Sequence, residues 1–251
     1  MKTVRVILVC LALLVTTMPA AASNSWLQKG TDTLKSFGMG EKKLTAPGTG
    51  TTLPMEDIIA GLKEALTVGS GNVVQQLGQA DGFYNDPQVH IPLPKKLATV
   101  KNALDKVGMG SFADDLELKL NRAAEAATPK ARDLFVNAIS QMTFEDARAI
   151  LNGPDDAATR YFREKMSPDL AGAMAPVVDD SLSQVGAVQS YERMMGRYAE
   201  LPFVPDIKAD LTDHVVQKGM DGIFHYMAKE EAAIRANPVK RTTDLLKKVF
   251  Q

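Results

Sequence analysis

Four residues late in the chain have the types and spacing to hold a divalent ion. Asp210, His214, Asp221 and His225 fall at i, i+4, i+11 and i+15. On a helix of 3.6 residues per turn they lie within about 60° of one another. Two imidazoles and two carboxylates in a row suit zinc or a related metal. The opposite side of the same helix argues against that chemistry. Val216, Gly219, Met220, Ile223, Met227 and Ile234 form an apolar arc there, so the His/Asp stripe, with Gln217, is expected to face water. A metal site also draws its ligands, as a rule, from more than one element. The expectation is therefore no metal and no cofactor.

Catalytic motifs are equally scarce. The chain has no Gly-x-Ser-x-Gly elbow and no His-Glu-x-x-His, and its one cysteine, Cys10, lies in the leader. The remaining histidine, His90, falls in an extended stretch. Carboxylates are plentiful but mostly stand at helix starts, where capping explains them. No catalytic residue is assigned. A hydrolase using acidic residues distant in sequence is the alternative reading. Glu230 falls within the apolar arc, and Arg235 or Arg241 is its expected partner in a structural ion pair. Such a pair fixes register more reliably than it adds stability.

Asn121, Arg122 and Glu125 are the candidate ligand or partner residues. They lie opposite the main apolar stripe of an Ala-rich helix, near Leu118. A helix apolar on both sides is buried, so these polar groups need partners. An internal hydrogen-bonded network meets that need. The polar end of a pocket is the functional alternative.

The elements that must position these residues follow from hydrophobic period and punctuation. Gln141–Ser167 reads as helix, stop, helix. Thr143 and Asp146 form a capping-box pattern, Asn152-Gly153 ends the first helix, and Pro154 opens the second, with Asp155 and Asp156 in its first turn. Upstream, Leu53–Gly78 is one long helix, and Gly69 on its stripe suits close helix packing better than a phosphate cradle. Asp81–Pro94 is extended, since Val89, Ile91 and Leu93 alternate with His90 and Pro92, and its prolines limit it to an edge. Lys95–Val107 and Phe112–Thr128 are helices, and Lys130–Gln141 follows Pro129. Ser167-Pro168 is expected to cap and start a new helix. Pro176 inside it frees the carbonyl of Gly172 and forces a kink or restart. Val188–Tyr198, Asp210–Ala236 and a terminal helix around Leu245–Phe250 complete the pattern, with a loop at Leu201–Asp206.

The chain has 251 residues, 45% hydrophobic, with a formal charge of −1 and 6% aromatics. That balance gives neither a polybasic nucleic-acid binder nor a base-stacking platform. Lys2 and Arg5, an apolar run at Val6–Val15 and Ala20-Ala21-Ala22 form a signal-peptide pattern, too short to span a bilayer. Cleavage after Ala22 leaves 27 basic against 30 acidic residues, no cysteine and hence no disulfide. The expected organisation is a signal peptide at 1–22, an amphipathic helix and linker at 23–52, and an all-helical domain at 53–251. Trp26, Leu27, Leu34 and Phe37 in the second part suit a docked helix or a membrane surface. The expected location is the periplasm, with no transmembrane span after signal removal.

GLKEAL (Gly61–Leu66), LNRAAEAA (Leu120–Ala127), FEDARAILNGPDDAATRYF (Phe144–Phe162) and RTTDLLKKVF (Arg241–Phe250) resemble an exported bacterial family catalogued as domain of unknown function 4197. The resemblance runs from about Leu53 to the C-terminus, and ILNGPDDAAT is its most specific part. It implies an all-helical domain behind a signal peptide and carries no activity, cofactor or catalytic residue. The family pattern has a Tyr where His214 stands, which weakens a metal site further. The expected fold is all-α: a single multi-helix, orthogonal or bundle-like domain with one extended loop. The expected function is a non-enzymatic binding or interaction role in the cell envelope, with an unidentified envelope protein or a small apolar ligand as partner.

Overall fold

The structure is a computed structural model that describes residues 54–202 and 210–236. The chain divides into two compact units, Met1–Thr51 and Thr52–Gln251, and every described residue belongs to the second. The signal peptide, Cys10, the Trp26–Phe37 helix, most of the Leu201–Asp206 loop, Arg241 and the terminal helix lie outside the described residues.

The described residues form helices and turns with no strand, as the hydrophobic period predicts. In order they are α1 (Met55–Leu77), α2 (Lys95–Asp105), α3 (Ser111–Ala127), a 3-10 turn (Thr128–Lys130), α4 (Ala131–Ser140), α5 (Phe144–Leu151), α6 (Ala157–Gln184), α7 (Ala187–Ala199) and α8 (Leu211–Ala236). Pro54 precedes α1 and Gly78 ends it. Gly69 faces α8, but a Cβ there would stand an ordinary 3.8 Å from Ile234 Cδ1, so the packing at this point does not require a glycine.

Centrality belongs to α6, which packs against α3, α4, α5, α7 and α8. Its buried residues are Ala158, Phe162, Met166, Leu170, Met174, Val178 and Leu182, with Thr159 beside the first. A four-residue step overshoots the helical turn by about 40° each time, so the apolar stripe winds around the helix. Successive residues therefore meet different neighbours. Phe162, for example, meets Phe135 of α4 edge to face at 5.0 Å.

Two boundaries differ from expectation here. Ser167-Pro168 does not start a helix, and Pro176 does not restart one. Both prolines lie inside α6. Pro168 and Pro176 are exposed, as are Glu164 and Gly172, whose carbonyls they free. The freed carbonyls belong to residues open to solvent, so packing along the buried stripe carries the helix through both positions. Ser167 turns its hydroxyl back to the Arg163 carbonyl at 2.6 Å.

The hairpin keeps its expected stop. Asp146 N donates to Thr143 Oγ1 at 3.1 Å, and Thr143 N donates to Asp146 Oδ2 at 3.0 Å, closing the capping box. Asn152-Gly153 follows the last residue of α5. The second helix, however, begins at Ala157 and not at Pro154. Asp155 and Asp156 lie in the turn before it, and Asp156 makes no side-chain cap bond. The reason lies in α8, whose Glu231 takes the first free amides of α6.

Candidate functional site

The stretch 81–94 is held by side chains from two helices. Val89, Ile91 and Leu93 are buried with Phe83, as the alternation predicts, but the stretch expected to be extended runs through successive turns to Val89 and is free of them only over 90–94. Asn121 of α3 sits opposite Ile91. Its Oδ1 accepts from Ile91 N at 2.9 Å, and its Nδ2 donates to Ile91 O at 2.8 Å and to Glu117 O at 2.8 Å. Glu125 Oε1 accepts the amides of Phe83 and Tyr84 at 3.1 and 3.2 Å. Arg122 bridges the other Glu125 oxygen at 2.7 Å and Asp81 at 2.6 Å, and lies 5.8 Å from the Tyr84 ring centroid. The structure thus brings Asn121, Arg122 and Glu125 together, and the bonds they form run to this chain's own loop. Its bonds to Glu125 and Asp81, and then their charges, raise the Arg122 guanidinium above its ordinary value against the opposing effect of burial.

All three histidines meet the same stretch. His90 stands between the Tyr84 carbonyl and Glu117 Oε1, 2.8 Å from each. From α8, His214 Nε2 lies 2.8 Å from the Pro92 carbonyl, and His225 Nε2 lies 3.1 Å from Gln88 Oε1. Tyr226 donates to Asp86, and Lys229 donates to Gln88 at 2.9 Å. Gly222 lets the loop close on α8, since a Cβ there would stand 2.6 Å from the Phe83 ring. The His/Asp stripe is thus partly a shelf for the loop, where water was expected. Its carboxylates look elsewhere. Asp210 accepts from Asp213 N, while Asp221 faces Arg163 at 3.6 Å and Lys218 at 3.9 Å. Among the described residues no group of three or more His, Cys, Asp or Glu side chains could hold a metal ion.

A second clasp joins α8 to the start of α6. Glu231 is 6% exposed, and its carboxylate accepts from Ala158 N, Thr159 N and Thr159 Oγ1, each at 2.9 Å. Arg235 donates to Glu231 at 2.9 Å and to the Ile150 carbonyl of α5 at 2.8 Å. Arg235 thus pairs with the buried Glu231, one residue beyond Glu230, while Arg241, the other partner expected for Glu230, lies outside the described residues. The four-residue step Val215, Gly219, Ile223, Met227, Glu231 carried that signal in the sequence. A third cluster joins α3 to α7. Lys119, Arg193 and the buried hydroxyl of Ser190 all bond Asp115.

One open groove lies between α4, the start of α5 and α6, with a volume of about 280 Å3. Leu134, Ala138 and Met166 supply its apolar floor. Asn137 and Gln141 stand on one wall, and Asp146, Lys165 and Asp169 stand around it. Tyr161 lies in it with its hydroxyl on the Ala138 carbonyl at 3.1 Å. Burial, with the Asp146 charge nearby, pushes the Tyr161 phenol up. Bonds from the Thr143 amide and hydroxyl hold the Asp146 carboxyl below its ordinary range. In the sequence, Thr143 and Asp146 signal only a helix cap. The amide pair at i, i+4 was a visible signal, but its partners come from two other helices.

A family model described as "Protein of unknown function (DUF4197)" matches residues 52–251. No curated protein and no solved structure matches the chain.

Proposed function

Because the chain belongs to the DUF4197 family, whose function is unknown, its own residues must supply a reading, and we propose a non-enzymatic binding role in the cell envelope, with a protein partner held at the α4–α6 groove. One division of labour carries this. The buried polar groups of α3 and α8 bond the chain's own backbone and loop, as Asn121, Glu125 and Glu231 do. The concave face with polar side chains turned outward lies elsewhere, around Asn137, Gln141 and Asp169. Its polar rim suits a polypeptide better than the small apolar ligand also expected from sequence. The hydrolase alternative needs two free converging carboxylates; of the two at the groove, Asp146 is engaged by Thr143, and Glu117, Glu125 and Glu231 face amides or cations elsewhere. The envelope location rests on the leader at 1–22. Among the described residues no helix is long and apolar enough to cross a membrane.

A photoreactive amino acid at Asn137, in the full chain expressed in its native cells, tests this role. Irradiation is expected to give an adduct of defined mass at 137 and none at the exposed Glu192 of α7. No adduct at 137, or equal labelling at both positions, would overturn it.

A further inference from the structure

Asn137 and Gln141 are exposed and one helical turn apart, so their Cβ atoms stand roughly 6 Å from each other. Alternate residues of an extended chain repeat about every 6.8 Å. A carboxamide both donates and accepts, so two of them at this spacing match two peptide groups of one strand. The floor of Leu134, Ala138 and Met166 suits the side chains between those groups. Two carboxylates, Asp146 and Asp169, face one cation, Lys165, so the groove is acidic on balance. Asp146 is engaged by Thr143, while Asp169 stands exposed on α6. A sugar is the poorer occupant. Stacking needs a free aromatic face, and the Tyr161 ring already meets Phe162 edge-on at 5.6 Å and Lys165 at 6.0 Å.

Resting on the binding role above, we propose that the groove holds an extended segment of a partner polypeptide. Asn137 and Gln141 bond its backbone, and one of its Lys or Arg side chains pairs with Asp169. Selection of a phage-displayed random heptapeptide library against the full chain, followed by calorimetric titration of the enriched peptides, tests this. The expected peptides carry a Lys or Arg at one fixed position. Asn137→Ala with Gln141→Ala weakens them at least about tenfold without lowering the melting temperature, since both side chains are exposed. Asp169→Lys reverses the preference towards acidic peptides. No enriched peptide, peptides without a fixed basic residue, or equal affinity for the double variant would overturn the inference. A protein adduct at photoreactive position 137 without an enriched peptide would sink this inference and leave the binding role standing, whereas a non-polypeptide adduct, or none, removes both.

Discussion

Glu231 shows how one carboxylate can decide where a helix begins. The first amides of α6 have no partner within their own helix, and a buried carboxylate from α8 accepts two of them. Arg235 offsets its charge at 2.9 Å. Glu231→Gln turns one acceptor oxygen into a donor facing either an amide or a guanidinium. The expected cost is about 3 kcal/mol in urea unfolding. A change below about 0.5 kcal/mol would show that the clasp is incidental. Asp115 makes a different prediction. Burial alone would raise its carboxyl, but bonds from Lys119 and Ser190, with the Lys119 and Arg193 charges, outweigh burial and hold it below its ordinary 3.8. A group depressed in the folded chain adds stability above its unfolded value and loses it as pH falls through the folded value. The melting temperature should therefore drop as pH goes below 3.8, and Asp115→Asn should make that drop shallower. An unchanged slope would remove Asp115 from the acid transition. Asp86 shares the direction: burial again opposes, and the bonds from Tyr226 and the Gln88 amide prevail.

At the scale of elements, α6 tests whether packing or local rule sets a helix. Pro176 lies on its exposed side and frees the Gly172 carbonyl to water. Pro176→Ala restores a donor there and is expected to raise the unfolding free energy by about 1–2 kcal/mol, seen as a higher melting temperature. A lower melting temperature would mean that the proline's shape is itself needed to fit α6 among its neighbours. The same helix marks what the sequence made legible. The stop at Asn152-Gly153 and the Thr143 cap were readable because both are local. Ser167-Pro168 misled because cap and first-turn rules are also local, while the stripe Met166, Leu170, Met174, Val178 runs through both prolines. That spacing was present in the chain and outweighed the punctuation. In the 81–94 stretch the inward residues were legible from alternation. Their partners were not, because Asn121 bonds a residue 30 positions away and Glu125 one 42 positions away. The need of Asn121 and Glu125 for partners could be read from a helix apolar on both sides. The groove could not, since three elements meet to form it.

Within the described unit two sets of polar side chains play opposite parts, beside the helix-to-helix cluster at Asp115. Those of α3 and α8 fasten a non-helical segment and a helix start to the core. Those around the α4–α6 groove remain turned outward, and the binding role rests on them. Two asparagines stand for the two populations, and the same substitution separates them. The most direct measurement is the urea-unfolding free energy of Asn121→Ala beside that of Asn137→Ala. Asn121 is fully buried and satisfies both the amide and the carbonyl of Ile91, so its loss should cost about 2–4 kcal/mol. Asn137 is exposed on α4, and its loss should stay within about 0.5 kcal/mol. Equal costs, or a larger cost at Asn137, would contradict the division on which the functional reading stands.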